Sequence, residues 1–199
     1  CKRGDEPKTT RQLRVGLYTE AHSAILYSAS DISIYPTELI HEHPFLQRVG
    51  PDVLNPTVTR DVVEVRLTEK AFRNRALSAL YLDQRFMAGL GNYLRSEILF
   101  AAGVHPALKP SDLNDEQLKS LAYHTLDICK RSYETGGYTV YTELREVLQQ
   151  QDDDFERTRF MVFDREEMPC RVCATPITRQ TYNGRRLYWC RQCQPERSK

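Results

Sequence analysis

The segment Cys170-Arg-Val-Cys173-Ala-Thr-Pro-Ile-Thr-Arg-Gln-Thr-Tyr182-Asn183-Gly184-Arg185-Arg-Leu-Tyr-Trp189-Cys190-Arg-Gln-Cys193 holds four of the six cysteines in the chain. Its two Cys-x2-Cys pairs stand sixteen residues apart, which is zinc-site spacing. Each pair sets two thiolates on one side of a tight turn, and two pairs complete a tetrahedron. Asn183-Gly184 between two strand-forming runs is a strong hairpin signal. The expected product is a zinc β-ribbon finger in which Cys170, Cys173, Cys190 and Cys193 hold one structural Zn2+. Four thiolates leave no coordination position for water, so any function of the module must come from its hairpin. There Tyr182 faces Arg185 across the turn, which puts Arg185 at or near the tip. It is either a two-pronged phosphate grip or a solvated surface arginine.

Outward from this module, the 199 residues allow one substantial domain or two small ones. The net charge of +1 conceals an asymmetry. Residues 157–199 carry ten Lys/Arg against four Asp/Glu, and the residues before them eighteen against twenty-three. A basic C-terminal module on a mildly acidic body suits a polyanion, most commonly nucleic acid. No apolar run approaches the roughly 18 residues of a membrane span, and the first residues have no apolar signal core. Cys1 and Cys129 stand apart, Cys129 as a small buried apolar residue.

Residues 12–18 and 23–28 have the alternation and the Val, Ile and Tyr content of two short strands, too few to close a core. A short helix is expected around 38–41 behind Thr37, and Pro44, Gly50, Pro51 and Pro56 punctuate a connector with a domain boundary near Gly50-Pro51. From Thr59 to about Thr135 the apolar spacing is helical and predicts a four-helix unit. Its last helix is capped by Asn114 and stopped by Gly136-Gly137. Residues 138–156 lack clear periodicity and include Gln149-Gln-Gln-Asp-Asp-Asp154, the composition of a mobile, solvated tether.

Between two helices lies Gly89-Leu-Gly91-Asn92-Tyr-Leu-Arg-Ser-Glu97. The glycines permit a tight backbone, Asn92 is expected to cap the following helix, and the N–H groups at that helix start suit one phosphate. A turn of this kind also serves as plain architecture.

The ordered set His43-Pro-Phe-Leu-Gln-Arg48-Val-Gly-Pro-Asp52, Phe72-Arg-Asn-Arg75, Leu82-Asp-Gln84, Gly89-Leu-Gly-Asn92-Tyr-Leu-Arg-Ser-Glu97 and Phe160-Met-Val-Phe163 precedes the four-cysteine finger. It resembles the formamidopyrimidine-DNA glycosylase/endonuclease VIII family, the endonuclease VIII branch above all. The resemblance implies a mainly α fold with small β parts: a remnant of an N-terminal β-sandwich, a helix-two-turns-helix domain and a C-terminal zinc β-ribbon finger. The expected division is 1–50 for sandwich strands and connector, 51–137 for the helix-two-turns-helix domain, 138–159 for a flexible loop and 160–199 for the finger.

The same resemblance implies DNA contacts at Arg48, Asn92 and Arg185, with Arg185 also serving the second elimination, and an acidic residue near the abasic sugar at Glu97. Glu97 read without the resemblance is a solvated acid on a helix. The family's Pro-Glu start, which supplies the attacking amine, has no counterpart in Cys1-Lys2, so the chain is expected to be truncated and inactive alone. The implied function is a base-excision repair glycosylase and abasic-site lyase for oxidised pyrimidines. Its implied setting is a monomer on damaged double-stranded DNA, in a bacterial-type cytoplasm and nucleoid. The competing expectation is a non-catalytic zinc-finger module for duplex DNA; a weaker one is a ribbon for RNA or protein.

Overall fold

A computed structural model describes residues 1–5, 7–182 and 184–196. The chain divides into two compact units, Cys1–Gln47 and Arg48–Lys199, so the division falls a few residues before the expected Gly50-Pro51.

The smaller unit contains strands β1 (Leu13–Tyr18) and β2 (Ser23–Tyr27), paired antiparallel with a register irregularity between Leu13 and Val15. A 3-10 turn follows at Thr37–Glu42, where a short helix is expected. Two strands offer too little surface to enclose a core. Among the described residues of this unit no hydrophobic side chain is buried, and Leu17 and Ile34 are 66% and 96% exposed.

The larger unit is built on helices α1 (Arg60–Thr68), α2 (Leu77–Leu80), α3 (Asn92–Ala101) and α4 (Asp115–Glu134), with a 3-10 turn at Pro110–Asp112. These are the four helices the apolar spacing predicts. Val63, Leu67, Leu77, Leu80, Leu99 and Leu121 are fully buried in one cluster. Helix α4 shows how sequence sets length. Asn114 accepts from the Gln117 N–H at 2.9 Å while Gln117 accepts from the Asn114 N–H at 3.1 Å, a reciprocal capping box. At the other end Gly136 adopts φ +68° and the Gly137 N–H reaches the Ser132 carbonyl at 2.7 Å. That closing bond satisfies a carbonyl the helix leaves open, at a φ that favours glycine.

The segment 138–159 is not the expected loop: it folds as α5 (Thr142–Gln151) and α6 (Phe155–Thr158). Asp154 caps α6 by accepting from the Arg157 N–H at 3.1 Å. Arginines stack on aromatic rings along and beside this segment. Arg131 lies 3.9 Å from the Tyr141 ring centre, Arg145 5.2 Å from that of Tyr138, and Arg159 4.6 Å from that of Phe155. Leu144, Val147 and Leu148 do recur at helical spacing, and Gln suits a helix well.

The finger consists of β3 (Ile177–Tyr182) and β4 (Arg185–Cys190), antiparallel from Ile177↔Cys190 to Tyr182↔Arg185. Gly184 turns at φ +73° as a two-residue hairpin requires, while Asn183 lies outside the described residues. A second apolar cluster, with Phe100, Val162, Ile177 and Tyr188, joins the finger to α3. Tyr188 and Trp189 are buried and fill the module. Among the described residues no helix is long and apolar enough to cross a membrane.

Candidate nucleic-acid interface

The turn ahead of α3 is held by a side chain. Gln84 accepts from the Gly89 N–H at 3.0 Å and donates to the Leu90 carbonyl at 2.9 Å, while Gly89 takes φ +92°, a conformation costly for any side chain. The carbonyl of Gln84 accepts from the Gly50 N–H at 2.8 Å. Gly50 has no room for a side chain, since a Cβ there would lie 2.6 Å from the carbonyls of Arg85 and Phe86. Two residues earlier stands Arg48, exposed, at the first position of the larger unit. Asp83 binds Arg75 at 2.5 Å and Arg85 at 3.0 Å. Burial works against the Asp83 carboxylate, but the donors of Arg85 and Arg75 outweigh it and hold its pKa well below the usual range.

Asn92 is not the cap expected of it. Gly91 occupies the N-cap position in an extended conformation, Asn92 is the first helical residue, and no side chain caps the helix start. The Asn92 carbonyl oxygen instead accepts from Arg95 Nη2 at 2.7 Å. Uncapped N–H groups at the positive end of a ten-residue helix suit an anion.

One turn of α3 grips three segments from later in the chain and one from before it. Arg95, with no exposed surface, donates to the Ser78 carbonyl at 2.8 Å and, through Nη2, to the Arg186 carbonyl in β4 at 2.8 Å. The Ser96 hydroxyl accepts from the Tyr188 N–H at 3.3 Å. Glu97 is 1% exposed, and its two oxygens receive the N–H groups of Met161, Val162 and Phe163, each at 2.8 Å, and the Thr139 hydroxyl at 2.6 Å. This corrects the reading of Glu97 as a solvated acid. It is neither solvated nor presented as an open acid, because protein donors occupy both oxygens.

Arg185 is exposed at the start of β4, beside the Arg186 carbonyl that Arg95 holds. Burial, and then the charge of Arg185, lower the pKa of Arg95 to about 10, so it stays charged at neutral pH. Asn92, Arg95 and Arg185 thus form one cationic neighbourhood spanning α3 and the finger. The residue-type patterns missed Arg95 and the anchoring role of Glu97. The i, i+3 spacing of Asn92 and Arg95 is the signal that could have linked them.

The four cysteine sulfurs lie within 4.8 Å of one another, with Cys170–Cys193 at 3.9 Å, Cys173–Cys190 at 3.4 Å and Cys173–Cys193 at 3.5 Å. A tetrahedral Zn2+ with Zn–S near 2.3 Å sets sulfurs about 3.8 Å apart, so Cys170, Cys173, Cys190 and Cys193 fit a single structural ion. Gln194 supports the site by accepting from the Cys190 N–H at 3.0 Å and donating to the Val104 carbonyl at 2.9 Å.

Residues 49–143 match the family described as the formamidopyrimidine-DNA glycosylase H2TH domain. The chain is 47% identical over 191 residues to Endonuclease 8 of Escherichia coli O6:K15:H31, covering 96% of this chain and 69% of that protein. Endonuclease 8 of Shigella sonnei matches with the same identity and coverage. Among solved structures, the MutM (Fpg) protein of Thermus thermophilus superposes with a TM-score of 0.73 at 28% identity, covering 96% of this chain and 71% of that one. The Lactococcus lactis Fpg, solved with DNA containing an abasic site, superposes with a TM-score of 0.71 at 18% identity, covering 96% and 69%; that likeness is one of fold alone. The helices, the four-cysteine ribbon and 47% identity over nearly the whole chain lead to one assignment: this protein belongs to the formamidopyrimidine-DNA glycosylase/endonuclease VIII family.

Proposed function

We propose that the chain is the DNA-binding portion of a base-excision repair glycosylase and abasic-site lyase of the endonuclease VIII type, which acts on oxidised pyrimidines in double-stranded DNA. Its described residues form the phosphate-gripping part of the site. The observation that carries this reading is the convergence of the uncapped start of α3 at Asn92 with the hairpin arginine Arg185, joined through one buried guanidinium. In this reading Asn92 donates its amide N–H to a backbone phosphate, Arg185 takes the same or a neighbouring phosphate through its two-pronged guanidinium, and Arg48 adds a third contact. During strand cleavage Arg185 neutralises charge on the departing phosphate. Glu97 positions the lead-in to the finger and is assigned no proton transfer.

The smaller unit is read as strands of the N-terminal β-sandwich, and the larger as the helix-two-turns-helix domain with its finger. The protein works as a monomer on the bacterial nucleoid.

The test uses a duplex with one abasic site, measured by anisotropy over a salt series and by borohydride trapping. Asn92→Ala and Arg185→Ala should each weaken binding and lower the salt slope by about one, as loss of a phosphate contact does. Unchanged affinity and slope in both variants would remove the assigned face. Binding by these 199 residues without a trapped adduct is the expected result; an adduct would show that an amine of this polypeptide reaches C1′.

A further inference from the structure

A side-chain amide offers an acceptor on one side and two donors on the other. A guanidinium can only donate, so the 2.7 Å bond from Arg95 Nη2 to Asn92 identifies the bonded atom as the amide oxygen and turns the Asn92 NH2 group away from Arg95. A phosphate can only accept. The orientation of Asn92 that serves an anion is therefore the one Arg95 selects. The same Nη2 holds the Arg186 carbonyl at 2.8 Å, and Nη1 holds the Ser78 carbonyl at 2.8 Å, so one planar group sets the start of α3 against the base of the finger hairpin.

Burying a guanidinium is costly unless it is paired and hydrogen-bonded. Arg95 has no exposed surface, its Nε has no partner, and among the described residues no carboxylate forms an ion pair with it. Neutral oxygens share its proton donors and nothing within the described residues cancels its charge. A pKa near 10 leaves that charge in place at neutral pH. An aliphatic side chain could fill the space but would leave the Ser78 and Arg186 carbonyls without this donor. An uncompensated buried cation beside an exposed arginine is better suited to a docked anion.

We propose that Arg95 is a positioning residue that holds the Asn92 amide with its nitrogen toward DNA and ties it to the Arg185 hairpin, making one two-pronged phosphate clamp. The inference rests on the assignment of Asn92 and Arg185 to phosphate. It adds a residue that touches no DNA yet decides whether Asn92 contributes.

The experiment is a conditional one on the full chain, with an abasic-analogue duplex and a salt titration. Asn92→Ala should cost about tenfold in affinity when Arg95 is present, the scale of a lost hydrogen bond to a charged group. In an Arg95→Met background the same change should cost less than about twofold, because the amide is no longer held in place. An equal cost of Asn92→Ala in both backgrounds overturns the inference while sparing the phosphate assignment. No cost from either Asn92→Ala or Arg185→Ala with Arg95 intact overturns both. If Arg95→Met loses its melting transition, Arg95→Lys takes its place, since an ammonium cannot span three oxygens with the geometry of a guanidinium. A direct measurement needs no change at Arg95. The side-chain amide resonance of Asn92, assigned by its disappearance in Asn92→Ala, should move on adding duplex, with Arg95 guanidinium protons in slow exchange; an amide signal that duplex leaves unmoved overturns the proposal.

Discussion

Replacing Glu97 by alanine would strand four donors at once. The Val162 N–H and the Thr139 hydroxyl meet the carboxylate in fully buried bonds, and the N–H groups of Met161 and Phe163 in partly buried ones. A buried donor left without a partner costs about 1–3 kcal/mol, and one that water can reach costs less. The Thr139 hydroxyl also has the Arg159 carbonyl at 2.9 Å as a second partner, so it escapes most of the penalty. The backbone groups then set a loss of about 4 kcal/mol, which for a chain of this length lowers Tm by about 8–16 °C. Glu97→Gln keeps one oxygen, which can serve Val162 and Phe163, and turns an NH2 group on the Met161 N–H. It should lose about half as much. The assay is a calorimetric melt of both variants with hydrogen exchange at residues 161–163. Exchange there should accelerate before the rest of α3 opens. A Tm drop under about 2 °C in Glu97→Ala, or equal drops in the two variants, would refute the anchoring role.

Removing zinc by chelation should open the finger and expose Trp189. It is the single tryptophan of the chain and is buried with its ring edge-on to His105, so emission should shift to the red. An unshifted spectrum after complete metal release would mean that the hydrogen bonds to α3 hold the finger without the ion. Acid should weaken the fold from near neutrality. Burial holds His105 and His124 below their ordinary value of 6.5, and the nearby Glu196 and Asp127 oppose this only in part. The unfolded chain therefore takes up protons at both sites first, so stability is full above pH 6.5 and falls as pH drops toward the folded values. Melts between about pH 7.5 and 5.5 should show the decline, reduced in His124→Gln; a Tm that rises on acidification would reverse the argument.

The features legible in the sequence are those in which a residue acts on its own neighbours. The cysteine spacing, the strand pairing around Gly184, the capping box at Asn114 and the double-glycine stop all depend on contacts within a few positions. The missed features depend on distant partners. Glu97 is chemically the same acid whether it meets water or three amides some 65 residues later in the chain, and only the tertiary fold decides. Arg95 reads as a surface helix former until its bond to Arg186, 91 residues away, is seen. Asn92 stands one residue too late to cap α3, because Gly91 holds the N-cap position, and its oxygen meets Arg95 instead. Helix α5 carries only Leu144, Val147 and Leu148 at helical spacing, a stripe too short to stand out beside the Gln149–Asp154 run.

The grip of Arg95, Ser96 and Glu97 on residues 161–188 also sets an order of events during synthesis. When α3 leaves the ribosome, its partners are still untranslated, and one face of the helix carries a cation and an anion that favour water over burial. The face of α3 that carries Arg95, Ser96 and Glu97 therefore stays uncovered until residues 161–188 emerge, while its apolar face packs on α1, α2 and α4 beforehand. Because the finger they belong to also carries the four metal thiolates, zinc capture and the covering of this face of α3 belong to one late step of folding. A nascent chain stalled before Cys190 would leave Glu97 and Arg95 without their finger-side partners, and the finger, although last in sequence, completes the second apolar cluster around Phe100.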